Sequence, residues 1–248
     1  MKYSIITAVY NGAKYLSRLI SSVLKQSYPY VEWIVQDGGS TDGTLELLRP
    51  YEERIRLVSE PDTGVYDAWN KAVARATGDW AIFLGADDFL VSPHTIAQCH
   101  RHLRRLPPDI DIAFGALLLG RNGKAESLLT RTLSHAYHTM LTDMGVPFPA
   151  TFTRVPLLRR EGFDARFKIA GDYEMVARVL TGGNLARIPV IVSYMEMDGI
   201  SSDSGNCTLL EERLRTLFAR VAPKARAFME ASANHLLDND AKLEDMPE

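Results

Sequence analysis

The sequence predicts an α/β fold: a mostly parallel, Rossmann-like sheet with helices on both faces. Three observations predict it. Short apolar segments alternate with amphipathic helical stretches through the first ninety residues. The apolar segments are β-branched and nearly uninterrupted, as in strands covered on both faces. Glycine and aspartate cluster where those segments end, the edge at which an open parallel sheet binds its ligands.

Each element follows in order. Residues 4–9, Ser-Ile-Ile-Thr-Ala-Val, form the first strand, and Asn11-Gly12 breaks it. Leu16, Leu19, Ile20, Val23 and Leu24 then recur at helical spacing. Residues 31–35 are a second strand, which runs into Asp37-Gly38-Gly39-Ser40-Thr41-Asp42-Gly43. Leu45, Leu47 and Leu48 belong to a short helix that Ser40 or Thr41 would cap and Pro50 would disrupt. Residues 55–58 make a third strand. Val65, Ala68, Trp69, Ala72, Val73 and Ala76 mark a helix, with Gly78 as its stop. Residues 80–84 are a fourth strand, ending in Gly85-Ala86-Asp87-Asp88.

The later part is less regular. Residues 95–106 read as a helix, 112–119 and 125–129 as strands flanking an Asn122-Gly123 hairpin turn, and 171–180 as a helix. Residues 186–194 read as a strand, with Pro189 favouring an edge position. Residues 209–221 and 225–237 read as closing helices. One domain over 1–237 is expected, with a ligand-binding half (1–108), a second half (109–237) and an acidic tail (238–248).

Composition narrows the function. Hydrophobic residues are 46% and charged residues 24%, as in a globular protein. A net charge of −3 provides no basic field, so nucleic acid is not an expected partner. Cys99 and Cys207 suggest neither a disulfide framework nor a zinc site. No apolar run approaches the roughly 20 residues that span a bilayer. The opening residues read as a strand, not a signal peptide. A reduced, cytoplasmic setting is expected, with peripheral contact at the inner membrane face left open. The P-loop, nucleophile-elbow and dinucleotide fingerprints are missing, which disfavours NTPase, hydrolase and dehydrogenase readings.

Two strand ends deliver carboxylates, Asp37 and Asp87-Asp88, to one sheet edge. Asp and Gly are also ordinary turn formers, and Asp87-Asp88 also suits a loop or helix cap. Adjacent carboxylates hold a hard cation such as Mg²⁺ or Mn²⁺, with further oxygens from a substrate diphosphate.

At these residues the sequence resembles the family 2 inverting glycosyltransferases of the GT-A fold. Residues 4–11 resemble their opening strand, and 35–44, V-Q-D-G-G-S-T-D-G-T, their glycine-rich signature. Residues 64–72 with 76–80, and 83–88, F-L-G-A-D-D, also match, with a weaker likeness over 163–180. The resemblance implies a nucleotide diphosphate sugar donor, most often UDP-linked, and a glycan or lipid-linked glycan acceptor. It implies that Thr7, Tyr10 and Asn11 line the nucleotide pocket and that Asp37 contacts the base. Asp67 and Lys71 would lie near the ribose and diphosphate. Asp87 would bind Mg²⁺ or Mn²⁺, with Asp88 beside it on the donor. Asp172, in I-A-G-D-Y-E, would be the base that takes the acceptor's proton. A carboxylate there also suits a helix start.

Two positions depart from the family: Gly85, where an Asp is frequent, and Gly171, where a Glu is frequent. They motivate a competing reading, a nucleotide-sugar-binding subunit without transfer. A nucleotidyltransferase is disfavoured because its glycine- and arginine-containing loop is missing. The basic run His100-Arg101-His102 with Arg104-Arg105 reads as a solvated helix face or a contact for lipid phosphate. His135 and His138 share a helix spacing, more in keeping with polar surface than with a metal pair. Residues 204–208 read as a loop or an acceptor-side flap. The Q-x-x-R-W motif of processive relatives is absent, which favours single additions.

Overall fold

The computed structural model describes residues 1–181, 183–197 and 207–240. The loop at 204–206 and the tail beyond 240 lie outside them. Strand β1 (Tyr3–Val9) leads to α1 (Leu16–Leu24), β2 (Val31–Asp37), α2 (Thr44–Leu48), β3 (Arg56–Ser59), α3 (Val65–Arg75) and β4 (Trp80–Phe83). Then come β5 (Phe89–Leu90), α4 (Thr95–Leu103), β6 (Ile112–Arg121), β7 (Lys124–Leu129) and α5 (Leu133–Thr139). The chain continues through β8 (Thr151–Arg154), α6 (Val155–Glu161), α7 (Gly171–Val179), β9 (Leu185–Glu196), α8 (Cys207–Thr216) and α9 (Ala225–Asp240).

Among the described residues the strands form one nine-stranded sheet in the order β3-β2-β1-β4-β8-β6-β9-β5, with β7 paired to β6. Its first half, β3-β2-β1-β4, is wholly parallel. In the second half β6 and β9 are parallel, while β8, β7 and β5 run antiparallel to their neighbours. The α/β class and the helices on both faces are as expected. In β1, Ile5 and Ile6 point to opposite sides, because side chains alternate along a strand. Ile5 packs with Leu16, Leu19 and Ile96 from α1 and α4. Ile6 packs with Tyr66, Val73 and Val176 from α3 and α7. Both faces are therefore dry, which is why β1 carries no apolar/polar alternation.

Two local expectations are corrected. Asp42, not Ser40 or Thr41, holds the start of α2: its Oδ1 accepts from Thr44 N at 3.0 Å and Thr44 Oγ1 at 2.6 Å. Helix α3 ends when Ala76 turns extended, two residues before Gly78. Gly78 N instead donates to Ser4 Oγ at 3.0 Å. Among the described residues, strand β9 is covered on its outer side only at Ser193 and Tyr194, where β5 pairs, so Pro189 stands at a stretch of edge, as expected. Pro189 is absorbed by a register shift against β6 between Phe114 and Ala116, so no ladder bond is demanded of it. The hairpin turn is as predicted, with Asn122 left-handed at φ 54°.

Candidate active site

Parallel register sets Val9 beside Asp37, and β4 lies on the other side of β1. The loops after β1, β2 and β4 thus leave one edge of the sheet. The first two are laced together. Asn11 N donates to Ser40 Oγ at 2.8 Å, Thr41 N to Asn11 Oδ1 at 2.9 Å, and Ala13 N to Asp42 Oδ2 at 3.0 Å. Tyr10, 67% exposed, projects from this paired loop. Asp37 is fully buried at its root. Its Oδ2 accepts from Gly39 N and Ser40 N at 3.0 Å and from Ser59 Oγ at 2.6 Å. Its Oδ1 is buried without a hydrogen-bond partner.

A cleft of about 500 Å³ opens along the same edge, lined among others by Asp87, Asp88, Asp172 and Glu196. Residues remote in sequence thus converge: the two aspartates follow β4, Asp172 sits in the first turn of α7, and Glu196 ends β9. The cleft wall is aromatic, with Tyr66 and Trp69 from α3, Phe83 from β4 and Phe148. Trp69 and Phe83 lie 4.8 Å apart by ring centroid, and Phe83 and Phe148 stack at 5.5 Å. Such a wall fixes the carboxylates' supports and lowers the local dielectric.

The charges respond to that environment. Burial pushes the Asp172 carboxyl up to about 6, against the opposing pull of hydrogen bonds from Tyr173 N and the Tyr66 hydroxyl. Tyr173 N donates to Asp172 Oδ1 at 2.8 Å. The Tyr66 hydroxyl donates to Ile169 O at 2.5 Å and lies 3.3 Å from Asp172 Oδ1. Burial raises Asp88 well above the carboxylate range, and the charges of Asp87 and Glu196 add to it. Asp87 is raised too, by burial first and then by Glu196. Neither aspartate has an ion-pair partner among the described residues. Crowded, desolvated and uncompensated carboxylates are a fitting donor set for a divalent cation, which would need further oxygens from a ligand. Among the described residues no group of three or more His, Cys, Asp or Glu is placed to hold a metal by itself.

A side chain at either departure would meet close neighbours. A Cβ at Gly85 would stand 2.8 Å from Asp87 Oδ1 and 3.2 Å from Asp88 Oδ2, because both carboxylates fold back over that backbone. Gly85 N in turn donates to Asp88 Oδ2 at 2.8 Å. A Cβ at Gly171 would stand 2.8 Å from the ring of Tyr66, the residue that reaches Asp172.

The structure does not bring every expected residue into the cleft. Thr7 is fully buried, and its Oγ1 accepts from Trp33 Nε1 at 3.1 Å. Asp67 and Lys71 occupy a different side of α3 from Tyr66 and Trp69. Asp67 Oδ2 accepts from Thr63 N at 3.0 Å and pairs with Lys71 Nζ at 3.3 Å, while Lys71 donates to Pro61 O at 2.9 Å. They secure the β3–α3 loop. The basic run on α4 lies at the opposite end of the sheet, where His100 Nδ1 is 3.0 Å from the hydroxyl of Tyr3, the first residue of β1. It is therefore remote from the aspartates. His135 and His138 lie exposed on α5.

Sequence reasoning missed three residues. Glu196 ends an apolar strand as Asp37 does, and the same strand-end rule would have found it. It accepts from Asn122 N at 2.6 Å and Gly123 N at 3.1 Å, which ties the β6–β7 hairpin to the cleft. Tyr66 lies inside the 64–72 stretch that carries the resemblance, but its role is visible only in the fold. Glu212 gave no signal, since a lone Glu on a helix reads as surface. It is 6% exposed, and it accepts from Lys168 N, Ile169 N and Ala170 N at 2.6, 2.9 and 2.8 Å. Three successive backbone donors are thus held by α8 immediately before α7.

Known proteins agree with this arrangement. The family described as Glycosyl transferase family 2 matches residues 4–138. A "PGL/p-HBAD biosynthesis glycosyltransferase" of Mycobacterium bovis (strain BCG / Pasteur 1173P2) is 30% identical over 212 residues, covering 81% of this chain and 79% of the relative. Among solved structures, S. aureus TarS 1-349 in complex with UDP-GlcNAc superposes with a TM-score of 0.72 at 18% identity, covering 95% of this chain and 72% of TarS 1-349. Against the UDP complex of the same fragment the chain spans 65% of its length. The Pyrobaculum calidifontis mannosyltransferase PcManGT, in complex with GDP-Man and Mn²⁺, gives a TM-score of 0.65 at 18% identity over 100% of this chain and 76% of that one. An α/β sheet with acidic strand ends around one cleft is the frame of a GT-A glycosyltransferase. The chain belongs to glycosyl transferase family 2. No helix among the described residues is long and apolar enough to cross a membrane.

Proposed function

We propose that the protein transfers a sugar from a UDP-linked donor to a hydroxyl of a glycan or lipid-linked glycan, with inversion at the anomeric carbon. The observation that carries this reading is the placement of Asp172 in one cleft with Asp87 and Asp88. The orphaned Asp37 Oδ1 suits an imide N–H, the donor that a uracil base supplies. Tyr10 and Asn11 flank that position on the laced loops. Asp87, with Asp88 beside it, would hold Mg²⁺ or Mn²⁺ against the donor diphosphate. A bound ion there neutralises charge on the departing diphosphate. Asp172 accepts the proton of the acceptor hydroxyl, whose oxygen bonds to the anomeric carbon as the bond to the diphosphate oxygen breaks. The electron pair leaves with the nucleoside diphosphate. Attack opposite the leaving group inverts the centre in one step.

The competing reading is a nucleotide-sugar-binding subunit without transfer, and the same experiment separates the two. The test is Asp172→Asn. UDP binding in the presence of Mn²⁺ is expected to persist, while transfer falls by about 10²–10⁴-fold, the usual worth of a positioned base. Full turnover by the variant would remove Asp172 from the chemistry. A fully competent fold that binds neither UDP nor any UDP-sugar would reject the donor assignment.

A further inference from the structure

Tyr66 is buried on α3. Its ring lies edge-on to Trp69 at 5.3 Å and stacks on Phe163 at 5.9 Å by centroid. The ring also lies against the bare backbone of Gly171, where a Cβ would come within 2.8 Å of it. These contacts aim the hydroxyl at the entry to α7, where two oxygens face it. Ile169 O stands at 2.5 Å and Asp172 Oδ1 at 3.3 Å. A phenol has one proton and cannot donate fully to both. Burial, with the charge of Asp172 adding to it, drives this phenol far above its ordinary value. It therefore keeps that proton wherever the carboxyl titrates.

We propose that Tyr66 is a positioning residue for Asp172: its proton turns toward Oδ1 when the carboxylate is charged and back to Ile169 O once the carboxyl has taken up a proton. This rests on the reading of Asp172 as the base and deepens it. A hydrogen bond to an ionised group is stronger than one to a neutral carbonyl, so the charged carboxylate draws the hydroxyl. After proton uptake the carbonyl satisfies the hydroxyl, and no buried donor is orphaned. The hydroxyl thereby favours the charged form without penalising the neutral one. The other groups that face Asp172 are committed. Tyr173 N donates to the same Oδ1 at 2.8 Å from within α7. Arg213 of α8 lowers the carboxyl too, but it pairs with Asp143 at 3.2 Å. Glu212 of α8 is taken up by the backbone of residues 168–170. Asp87, Asp88, Glu196 and Lys168 share the cleft, and Lys168 Nζ donates to Thr63 O at 3.1 Å. The Tyr66 hydroxyl is the rotatable donor in contact with the carboxyl.

The full chain is labelled with ¹³C at its aspartate carboxyls, and the Asp172 resonance is identified by its loss in Asp172→Asn. NMR then reads the titration midpoint of that carboxyl in the wild type and in Tyr66→Phe, which keeps the ring and its packing. Tyr66→Phe is expected to raise the midpoint by about half to one pH unit, the worth of one hydrogen bond to a charged group. Gly171→Ala, which sets a methyl against the ring, is expected to raise it in the same direction. The double variant is expected to go no further than Tyr66→Phe alone, since both changes break one contact. UDP release from UDP-GlcNAc with Mn²⁺, followed against pH, is expected to show the same displaced midpoint in Tyr66→Phe. UDP affinity is expected to stay within about twofold. A hydroxyl that only braces the backbone at Ile169 O would leave the Asp172 titration unmoved in Tyr66→Phe, and that result would overturn the proposal. UDP release that ignores the carboxyl's midpoint, or that runs at the wild-type rate in Asp172→Asn, would instead overturn the base reading beneath it.

Discussion

Asp172 is half-buried, contacted by Tyr66 and Tyr173, and pushed up to about 6. A base must be ionised to accept a proton, so transfer at saturating donor is expected to rise as pH climbs through about 6 and then level. A rate that is flat from pH 5 to 8 would contradict its role. Gly85 makes a second prediction at this scale. Restoring the family's acid with Gly85→Asp puts a Cβ 2.8 Å from Asp87 Oδ1. The variant is expected to bind Mn²⁺·UDP more weakly and melt lower, even though it adds a potential ligand. Titration calorimetry and a melting curve check this; tighter binding would mean the aspartates do not depend on their fold over Gly85. Departures from a motif thus gain meaning only with coordinates, since "Gly for Asp" reads as a loss until the neighbours are seen.

At the scale of elements, α8 restrains the segment that precedes Asp172. Glu212 accepts from three successive backbone N–H groups, 168 to 170, immediately before α7. Glu212→Gln replaces one acceptor oxygen by a donor and is expected to lower kcat by about tenfold with donor KM nearly unchanged. Loss of donor affinity in parallel would show general unfolding instead. The other end of the sheet has a comparable clamp. Glu32 on β2 accepts from Ser4 Oγ at 2.6 Å and from Thr77 N at 2.5 Å, and pairs with Lys2 Nζ at 2.9 Å. Burial alone would raise its pKa, but these bonds outweigh it and hold the carboxyl at about 2. A depressed carboxyl stabilises the fold above its unfolded pKa, and that contribution fades as pH falls toward 2. Glu32→Gln is therefore expected to lower stability at pH 7, with the gap to wild type closing between about pH 4.5 and 2. A gap that is constant with pH would show that its charge is not involved.

Elements also show what a linear reading captures. The alternation through β4 was legible because two-sided burial writes itself as uninterrupted β-branched runs, and each strand end carried a Gly/Asp turn. Helix α3 was located correctly, and only its three-dimensional form shows that the i, i+4 pair Asp67 and Lys71 is engaged with Thr63 and Pro61 on a different side from Tyr66 and Trp69. Strand β8 and helices α5 and α6 passed unread. Each is seven residues or fewer, and β8 is followed directly by a helix with no turn signal between them. Asp87 and Asp172 were legible through motif, and Glu212 was not, since only the fold reveals that its helix turns inward.

At the scale of the molecule, the two expected halves share a single sheet and two continuous cores. The loops after β1, β2 and β4 leave one edge of the sheet, and Asp172 comes to the cleft from the later chain. Strand β8 joins them, pairing with β4 at Trp80–Ile82 on one side and with β6 on the other. The strand order therefore does not follow the chain order at the seam, and the cleft lies across it.

That seam bears on how such chains are shortened or recombined. A fragment cut after residue 108 would leave the outer rim of β4 with open amide and carbonyl groups, inviting chain-to-chain stacking. A chimera that grafts a foreign acceptor half would have to carry the four residues of β8 along with it, because the graft's own replacement must dock onto Trp80, Ala81 and Ile82 before the reaction centre can assemble.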